Sequence, residues 1–151
     1  MKITPPSPRL RAEWRDLYFG YAAFYRTPPP DFDIVWKWLA EGALRGLGAA
    51  DETGALRGIA HWEKILRPLH SRHLAYLHDL FVAPEMRGRG VGRQLILAAA
   101  DAAKAEGCAT MRWATAADNR AAMRLYDRVA DKTSWVIYER KSEAGTESKS
   151  G

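Results

Sequence analysis

The sequence has one cysteine, Cys108, in 151 residues. A single cysteine excludes an internal disulfide and a cysteine-based metal cage, and it is compatible with a reducing compartment. Because Cys108 follows a glycine and begins an apolar run, we interpret it as a small core residue rather than a nucleophile. Four histidines lie in or beside polar stretches and have no supporting ligand motif, so the sequence predicts no metal site. These are His61, His70, His73 and His78.

Long apolar runs are also lacking. No segment approaches the ~20 consecutive apolar residues of a membrane-spanning helix, and residues 1–8 carry no apolar signal core. The sequence therefore predicts a protein that does not associate with membranes and that is cytoplasmic.

Two common nucleotide-binding motifs are absent. The P-loop pattern G-x-x-x-x-G-K-[ST] does not occur, and the glycine spacing does not match the dinucleotide fingerprint G-x-G-x-x-G. Acidic residues are outnumbered by basic ones, which leaves a net charge of +5 and favours an anionic partner. The arginines lie in a short local cluster without interleaved aromatic residues, so a local anion such as a phosphate-bearing ligand is favoured over nucleic acid.

The composition, 47% apolar and 27% charged, predicts one ordinary globular domain. We expect this domain to span residues 1–140 and residues 141–151 to form a disordered tail. Periodicity and capping residues predict helices over 9–26, from Asp31 to near Gly42, over 90–106 and from Asp118 or Asn119 onward. Strands are predicted over 44–50, 55–66, 74–82, 110–115 and 135–138. The first helix carries aromatic residues beyond its core-facing stripe, and we expect some of these rings to line a cleft.

Residues 87–93 read RGRGVGR and open a predicted helix directly after a predicted strand. Three alternating glycines allow the backbone to curl and aim several NH groups at one point. NH groups at a helix start, together with the helix dipole, favour a bound phosphate, and arginines add charged hydrogen bonds. On the glycines alone, a simple turn with solvated arginines explains the pattern equally well.

A longer segment, residues 77–95, resembles the acetyl-CoA signature of the GNAT superfamily of acyl-CoA-dependent N-acetyltransferases. Arg87, Gly90 and Gly92 match its core pattern [Q/R]-x-x-G-x-[G/A]. Residues 119–126, NRAAMRLY, resemble the N-x-x-A-x-x-L-Y helix of the same family, in the same chain order. The nearest likeness is to small single-domain members such as spermidine/spermine-type acetyltransferases.

The resemblance implies a mixed α/β (α+β) fold with about four helices and a mostly antiparallel sheet of six to seven strands, the central ones splayed. It implies acetyl-CoA as co-substrate. By similarity, Leu80, Phe81 and Val82 would bind the pantetheine arm, with Asn119 touching the arm from the other side. The diphosphate would be held at Arg87, Gly88, Arg89, Gly90, Val91, Gly92 and Arg93. Asn119 can also serve as the cap of its helix, and the two roles are compatible.

By similarity, Tyr126 would lie near the thioester sulfur and protonate the departing thiolate, although a tyrosine on an apolar helix face can also be a core residue. Where spermidine/spermine acetyltransferases have Leu-Glu-Asp, this chain has Leu77, His78 and Asp79. Either His78 or Asp79, the latter through a water, would then be the general base. Losing the glutamate weakens the interpretation as a polyamine enzyme without excluding it.

The resemblance implies transfer of acetyl from acetyl-CoA to the primary amine of a small molecule, such as a polyamine or an amino acid, by direct attack in a ternary complex. Three alternatives stay open at this point. They are acetylation of a protein or peptide amino group, a non-catalytic acyl-CoA sensor, and a nucleic-acid-binding domain, the last being the least supported. A homodimer is compatible with the sequence, and the acceptor carries no recognisable motif.

Overall fold

The computed structural model describes residues 1–142, so the expected tail lies outside the described residues from position 143 onward. In the described part, four α-helices are present: α1 (Arg11–Phe24), α2 (Phe32–Glu41), α3 (Val91–Ala105) and α4 (Arg120–Val129). Five strands accompany them: β1 (Lys2–Thr4), β2 (Arg45–Ala50), β3 (Leu56–Arg67), β4 (Arg72–Val82) and β5 (Met111–Arg112).

The five strands form one sheet in the order β1-β2-β3-β4-β5. The first three pairings are antiparallel and only β4 with β5 is parallel, which confirms the predicted mixed α/β class with a mostly antiparallel sheet. The hairpin between β2 and β3 is confirmed as well. Its turn is closed by Asp51, whose carboxylate accepts bonds from the NH groups of Thr53 and Ala55 and from the Arg57 side chain.

The predicted strand over 135–138 is wrong. These residues form no strand, and Trp135, Val136, Ile137 and Tyr138 are between 68% and 91% exposed. Strand composition alone does not make a strand, because a strand also needs a partner edge to pair with. The described sheet consequently has five strands rather than six or seven. One of the five, β1, was not predicted, since three residues beside a proline-rich stretch give too short a pattern to detect.

Each face of the sheet packs against a different pair of helices. On one face, α1 and α2 bury a cluster formed by Trp14, Val35, Leu56, Ile59 and Phe81. On the other face, α3 packs on β2, β3 and β4 in a larger cluster that includes Trp62, Leu77, Leu95, Ile96 and Cys108, against which α4 packs. Cys108 is buried, as predicted for a core residue.

Capping residues set the ends of α2 as the sequence predicted. The Asp31 side chain accepts from the NH groups of Asp33 and Ile34, and the helix ends at Gly42, which has a φ of +77°. No helix in the described part of the chain has both the length and the apolar character needed to cross a bilayer.

Candidate active site

The turn between β4 and α3 leaves an open cradle of main-chain NH groups. Gly88 and Gly90 have φ angles of +76° and +80°, which L side chains rarely adopt, and a Cβ at either position would meet nothing within 4 Å. Gly90 is the N-cap of α3 and no side chain of the described residues caps it. The first NH groups of α3 therefore have no capping side chain in the described structure and lie at the positive end of the helix dipole, where an anion is favoured.

The arginines of this turn have different surroundings. Arg87 folds back, because its Nε donates to the carbonyl oxygen of Val82 at 3.2 Å and its guanidinium lies 5.3 Å from the ring centre of Phe81. Arg89 and Arg93 are exposed and make no ion pair with any described residue. Arg87 thus anchors the turn to the end of β4, whereas Arg89 and Arg93 are available to a phosphate.

β4 and β5 separate soon after they meet, since their pairing ends at Tyr76 and Arg112. Over residues 77–82 the side of β4 away from β3 has no strand partner in the described structure. In an antiparallel ladder, alternate residues direct their main-chain groups away from the partner strand, so NH and C=O groups line this gap. The splay implied by the resemblance is confirmed, and Leu80 and Val82 lie along it.

A cleft of about 300 Å³ lies where α1 ends and the chain leaves β5. It is lined by Tyr21, Tyr25, Thr27, Ala114, Thr115 and Ala116. The expectation that extra rings of the first helix line a cleft is therefore confirmed. The buried Oγ1 of Thr115 has no hydrogen-bond partner among the described residues. Because an unpartnered buried hydroxyl is costly, Thr115 offers a polar contact that a ligand can satisfy.

Burial perturbs the phenols beside this cleft. It raises the pKa of Tyr126, and the neighbouring Tyr25 raises that pKa further. Burial also raises the pKa of Tyr21, with added contributions from the Asp79 carboxylate and from Tyr126. Tyr126 and Asp79 are consequently both within electrostatic reach of Tyr21, and the phenols of Tyr21 and Tyr126 keep their protons at neutral pH.

Asp79 lies at a β-bulge between β3 and β4. His61 is paired with Asp79 and Trp62 with Leu77, so His78 is the extra residue without a partner. The bulge falls beside the stretch of β4 that β5 leaves uncovered.

Residues 9–130 match the sequence profile of the Acetyltransferase (GNAT) family. The chain belongs to the GNAT family of acetyltransferases. It is an acetyl-CoA-dependent N-acetyltransferase, as the resemblance implied. The open cradle and the uncovered main chain of β4 fit this donor, since one suits a diphosphate and the other suits an extended arm with amide groups.

Two relatives illustrate the similarity of this acetyltransferase to curated proteins. It is 32% identical over 138 residues to the D-amino-acid N-acetyltransferase HPA3 of Saccharomyces cerevisiae, covering 88% of this chain and 86% of that protein. It is 28% identical over 125 residues to the L-methionine sulfoximine/L-methionine sulfone acetyltransferase of Pseudomonas aeruginosa, covering 81% of this chain and 72% of that protein.

Solved structures support the fold. A probable acetyltransferase superimposes with a TM-score of 0.85 at 21% identity, covering 97% of this chain and all of that one. The aminoglycoside N-acetyltransferase AAC(6')-Iy, solved in complex with CoA, gives a TM-score of 0.78 at 24% identity and covers 93% of each chain.

The structure separates the two residues that the sequence offered as the general base. The His78 ring is exposed and its Nε2 lies 2.8 Å from Glu63 Oε2. Asp79 has a side chain only 16% exposed and accepts from Tyr18 and His61 on its Oδ2. The Asp79 carboxylate, like Tyr126, contributes to the raised pKa of Tyr21, whereas His78 contacts Tyr21 through its main-chain carbonyl oxygen, 3.4 Å from the Tyr21 hydroxyl.

The helix α4 presents the residues of the second motif of the acetyltransferase. Asn119 is its N-cap and accepts from the NH group of Ala122 at 3.3 Å. Tyr126 is half-buried, and its ring lies 5.4 Å from the Trp113 ring at an interplanar angle of 70°. Gly92 allows α4 to approach α3, because a Cβ there would lie 3.2 Å from Leu125 Cδ2.

Sequence reasoning did not connect Trp14, Tyr18 and His61 with Asp79. His61 fell within the predicted strand over 55–66 and was interpreted as lying in or beside a polar loop; the strand is present as β3, and there His61 is completely buried. The aromatic excess of the first helix was the one signal that pointed toward this cluster. In residues 1–142, no three His, Cys, Asp or Glu side chains group so as to hold a metal ion.

Proposed function

We propose that this acetyltransferase acetylates the primary amine of a small molecule of roughly amino-acid size. The observation that carries the proposal is the cleft of about 300 Å³ beside the β4–β5 gap. Its Tyr21 wall lies 6.1 Å from the ring of Tyr18, which bonds the Asp79 carboxylate at 2.9 Å. Asp79 and Tyr126 both raise the pKa of Tyr21. A cleft of this volume suits a small ligand. Asp79 is the nearby anion that a cationic amine requires.

In the proposed reaction an alkylammonium acceptor first loses a proton to Asp79, directly or through a water. The free amine attacks the thioester carbonyl carbon of acetyl-CoA, so that a C–N bond forms and the C–S bond breaks. The nitrogen releases its second proton to water, the departing thiolate takes a proton from Tyr126, and the resulting Tyr126 phenolate regains a proton from water. Positioning of the two substrates supplies much of the acceleration, and Tyr126 contributes as a general acid.

The relatives support an amino acid or a similar compound as the acceptor. The similar yeast protein is named a D-amino-acid N-acetyltransferase, and the similar Pseudomonas protein is named for methionine derivatives. Aminoglycosides are larger, and in a cleft of about 300 Å³ most of such a molecule would project outward. A protein or peptide amino group would also have to place its chain outside the cleft.

Acetyl transfer to a defined amine panel tests the proposal. Purified protein with acetyl-CoA would be incubated with D- and L-amino acids, methionine sulfoximine, spermidine, an aminoglycoside and a short peptide, and acetylated products would be measured by mass spectrometry. We expect turnover with amino acids or methionine sulfoximine. Turnover of the peptide alone would replace the proposal with protein acetylation. Tight acetyl-CoA binding without any product would favour a sensor instead.

We also propose that the protein forms a homodimer through residues 135–138. This segment has strand composition but four exposed apolar side chains, and the outer edge of β5 has no strand partner in the described structure. A second copy would cover both the exposed segment and the open edge. Light scattering should give a dimer for the wild type and a monomer for a V136D/I137D variant. A monomeric wild type at all concentrations would contradict this proposal.

A further inference from the structure

Four side chains form a hydrogen-bonded chain between α1 and the bulge of β4. The Trp14 Nε1 donates to His61 Nε2 at 2.8 Å, and His61 Nδ1 lies 2.8 Å from Asp79 Oδ2. The Tyr18 hydroxyl donates to the same Oδ2 at 2.9 Å. Trp14 and His61 are completely buried, so water does not compete for these contacts.

The positions of the protons follow from what each group can do. An indole nitrogen can only donate, so His61 Nε2 must carry a lone pair. The ring proton is therefore on Nδ1, and it is donated to Asp79. His61 is held neutral in this one tautomer, because a proton on Nε2 would collide with the indole NH of Trp14.

Asp79 is correspondingly held as a carboxylate with only one of its two oxygens accepting hydrogen bonds from described residues. Its Oδ2 accepts from both Tyr18 and His61, whereas its Oδ1 makes no hydrogen bond with any described residue. The side chain is 16% exposed. Two donors on one oxygen fix the carboxylate plane and leave the second oxygen to bind a cation or a proton.

We propose that Trp14, His61 and Tyr18 are positioning residues that hold Asp79 with Oδ1 as the atom that accepts the proton of the acceptor ammonium. This inference rests on the proposed function for its last step, but the fixed tautomer of His61 does not. His61 itself is not a base, since Trp14 occupies its only lone pair. A proton taken up by Asp79 must leave again from Oδ1 to solvent rather than pass through the imidazole.

The location of these four hydrogen-bonded side chains argues against a purely structural role. A carboxylate and an imidazole lie beside the apolar cluster of Trp14, Ile59 and Phe81, where apolar side chains would pack without a desolvation cost. The hydrogen-bonded series ends with Asp79 at the bulge, where β4 is uncovered. The Asp79 carboxylate influences the Tyr21 hydroxyl in the wall of the cleft. A polar network with one free oxygen at that point suits a substrate contact.

The tautomer can be tested without any substrate. Long-range ¹H–¹⁵N NMR spectra of the wild type should show a protonated Nδ1 and an unprotonated Nε2 for His61. The W14F variant, which lacks the indole donor, should lose this fixed pattern. A protonated Nε2 in the wild type would overturn the proposed chain, whatever the enzyme acetylates.

The positioning role is tested by comparing H61N with H61L, using whichever amine proves to be the best acceptor. Asparagine can still donate to Asp79 from the place of Nδ1, whereas leucine cannot. We expect kcat to fall about 10²-fold in H61L and D79N and to recover at least 10-fold in H61N, with acetyl-CoA affinity unchanged in all three. Equal kcat in folded H61N and H61L would overturn the role of the His61 donor.

The failures of the two proposals remain distinguishable. If no amine is acetylated, the proposed function fails, and the NMR measurement still decides the arrangement of His61. If amines are acetylated but D79N has full kcat, the proposed function stands and the assignment of Asp79 Oδ1 as proton acceptor is overturned. Where H61L does not fold, Y18F provides a second variant, since it removes the other donor to Oδ2 and should likewise lower kcat without changing acetyl-CoA affinity.

Discussion

The phenol ring of Tyr126 meets the Trp113 indole nearly edge-on, with the ring centres 5.4 Å apart. This contact fixes the ring by packing, so removing the hydroxyl should leave its position unchanged. We expect Y126F to fold normally, to bind acetyl-CoA with unchanged affinity, and to lose about 10²-fold in kcat. Steady-state kinetics and calorimetry measure the two quantities separately. Unchanged kcat would remove Tyr126 from the reaction.

The raised pKa of Tyr126 predicts how the rate depends on alkaline pH. Burial moves this pKa upward from the ordinary value of 10.0, and Tyr25 adds to the shift. A group with a raised pKa keeps its proton to higher pH, so the acid should remain available throughout the neutral and mildly alkaline range. We expect the single-turnover rate of the wild type not to decline between pH 7 and about 9.5. A decline in this range that is absent from Y126F would mean that the Tyr126 phenol ionises early.

Much of this architecture could be predicted from local signals. The cap at Asp31, the turn after Ala50 and the glycines of residues 88–92 each determine their conformation within a few residues, so their elements were confirmed. The turn over residues 87–93 was predictable for the same reason. The role we propose for it in cofactor binding depends on main-chain geometry that the glycine spacing itself dictates.

The rest depends on contacts between distant residues. His61 fell within a predicted strand, but only the register of β3 against β4 brings it opposite Asp79, and only the packing of α1 brings Trp14 within hydrogen-bond distance of it. The bulge that singles out His78 has no sequence signal, because strand periodicity does not reveal an inserted residue. Residues 135–138 show the opposite error, since their local preference is strong but they pair with no strand in the described structure.

Asn119 can be tested for both of its roles with two variants. N119A should lose the cap bond to the Ala122 NH group and about 1 kcal/mol of unfolding free energy, measured by urea denaturation. N119D keeps a capping oxygen and should restore that stability. If Asn119 also binds the cofactor arm through its NH₂ group, N119D should still bind acetyl-CoA several-fold more weakly. Wild-type affinity in stable N119D would limit Asn119 to the cap.

Thr115 should behave differently from most buried polar residues. Because its Oγ1 has no partner in the described structure, T115V should leave the unfolding free energy equal or raise it by up to ~1 kcal/mol. If the hydroxyl contacts a substrate, the same variant should raise the KM of the acceptor or of acetyl-CoA by about 10-fold, because one hydrogen bond to that substrate is lost. T110V at an exposed site is the control. A destabilised T115V with normal KM values would show that the hydroxyl has a structural partner.

The binding of CoA by the NH cradle at the start of α3 is tested most directly by calorimetry on three proteins. Gly90 and Gly42 have nearly the same φ, +80° and +77°, and both have open space at the Cβ position, but only Gly90 lies in the cradle. Alanine should therefore strain both sites similarly, by about 1–2 kcal/mol. We predict that G90A binds CoA at least 10-fold more weakly than the wild type, whereas G42A binds it equally well. Equal CoA affinity in all three proteins would contradict the account.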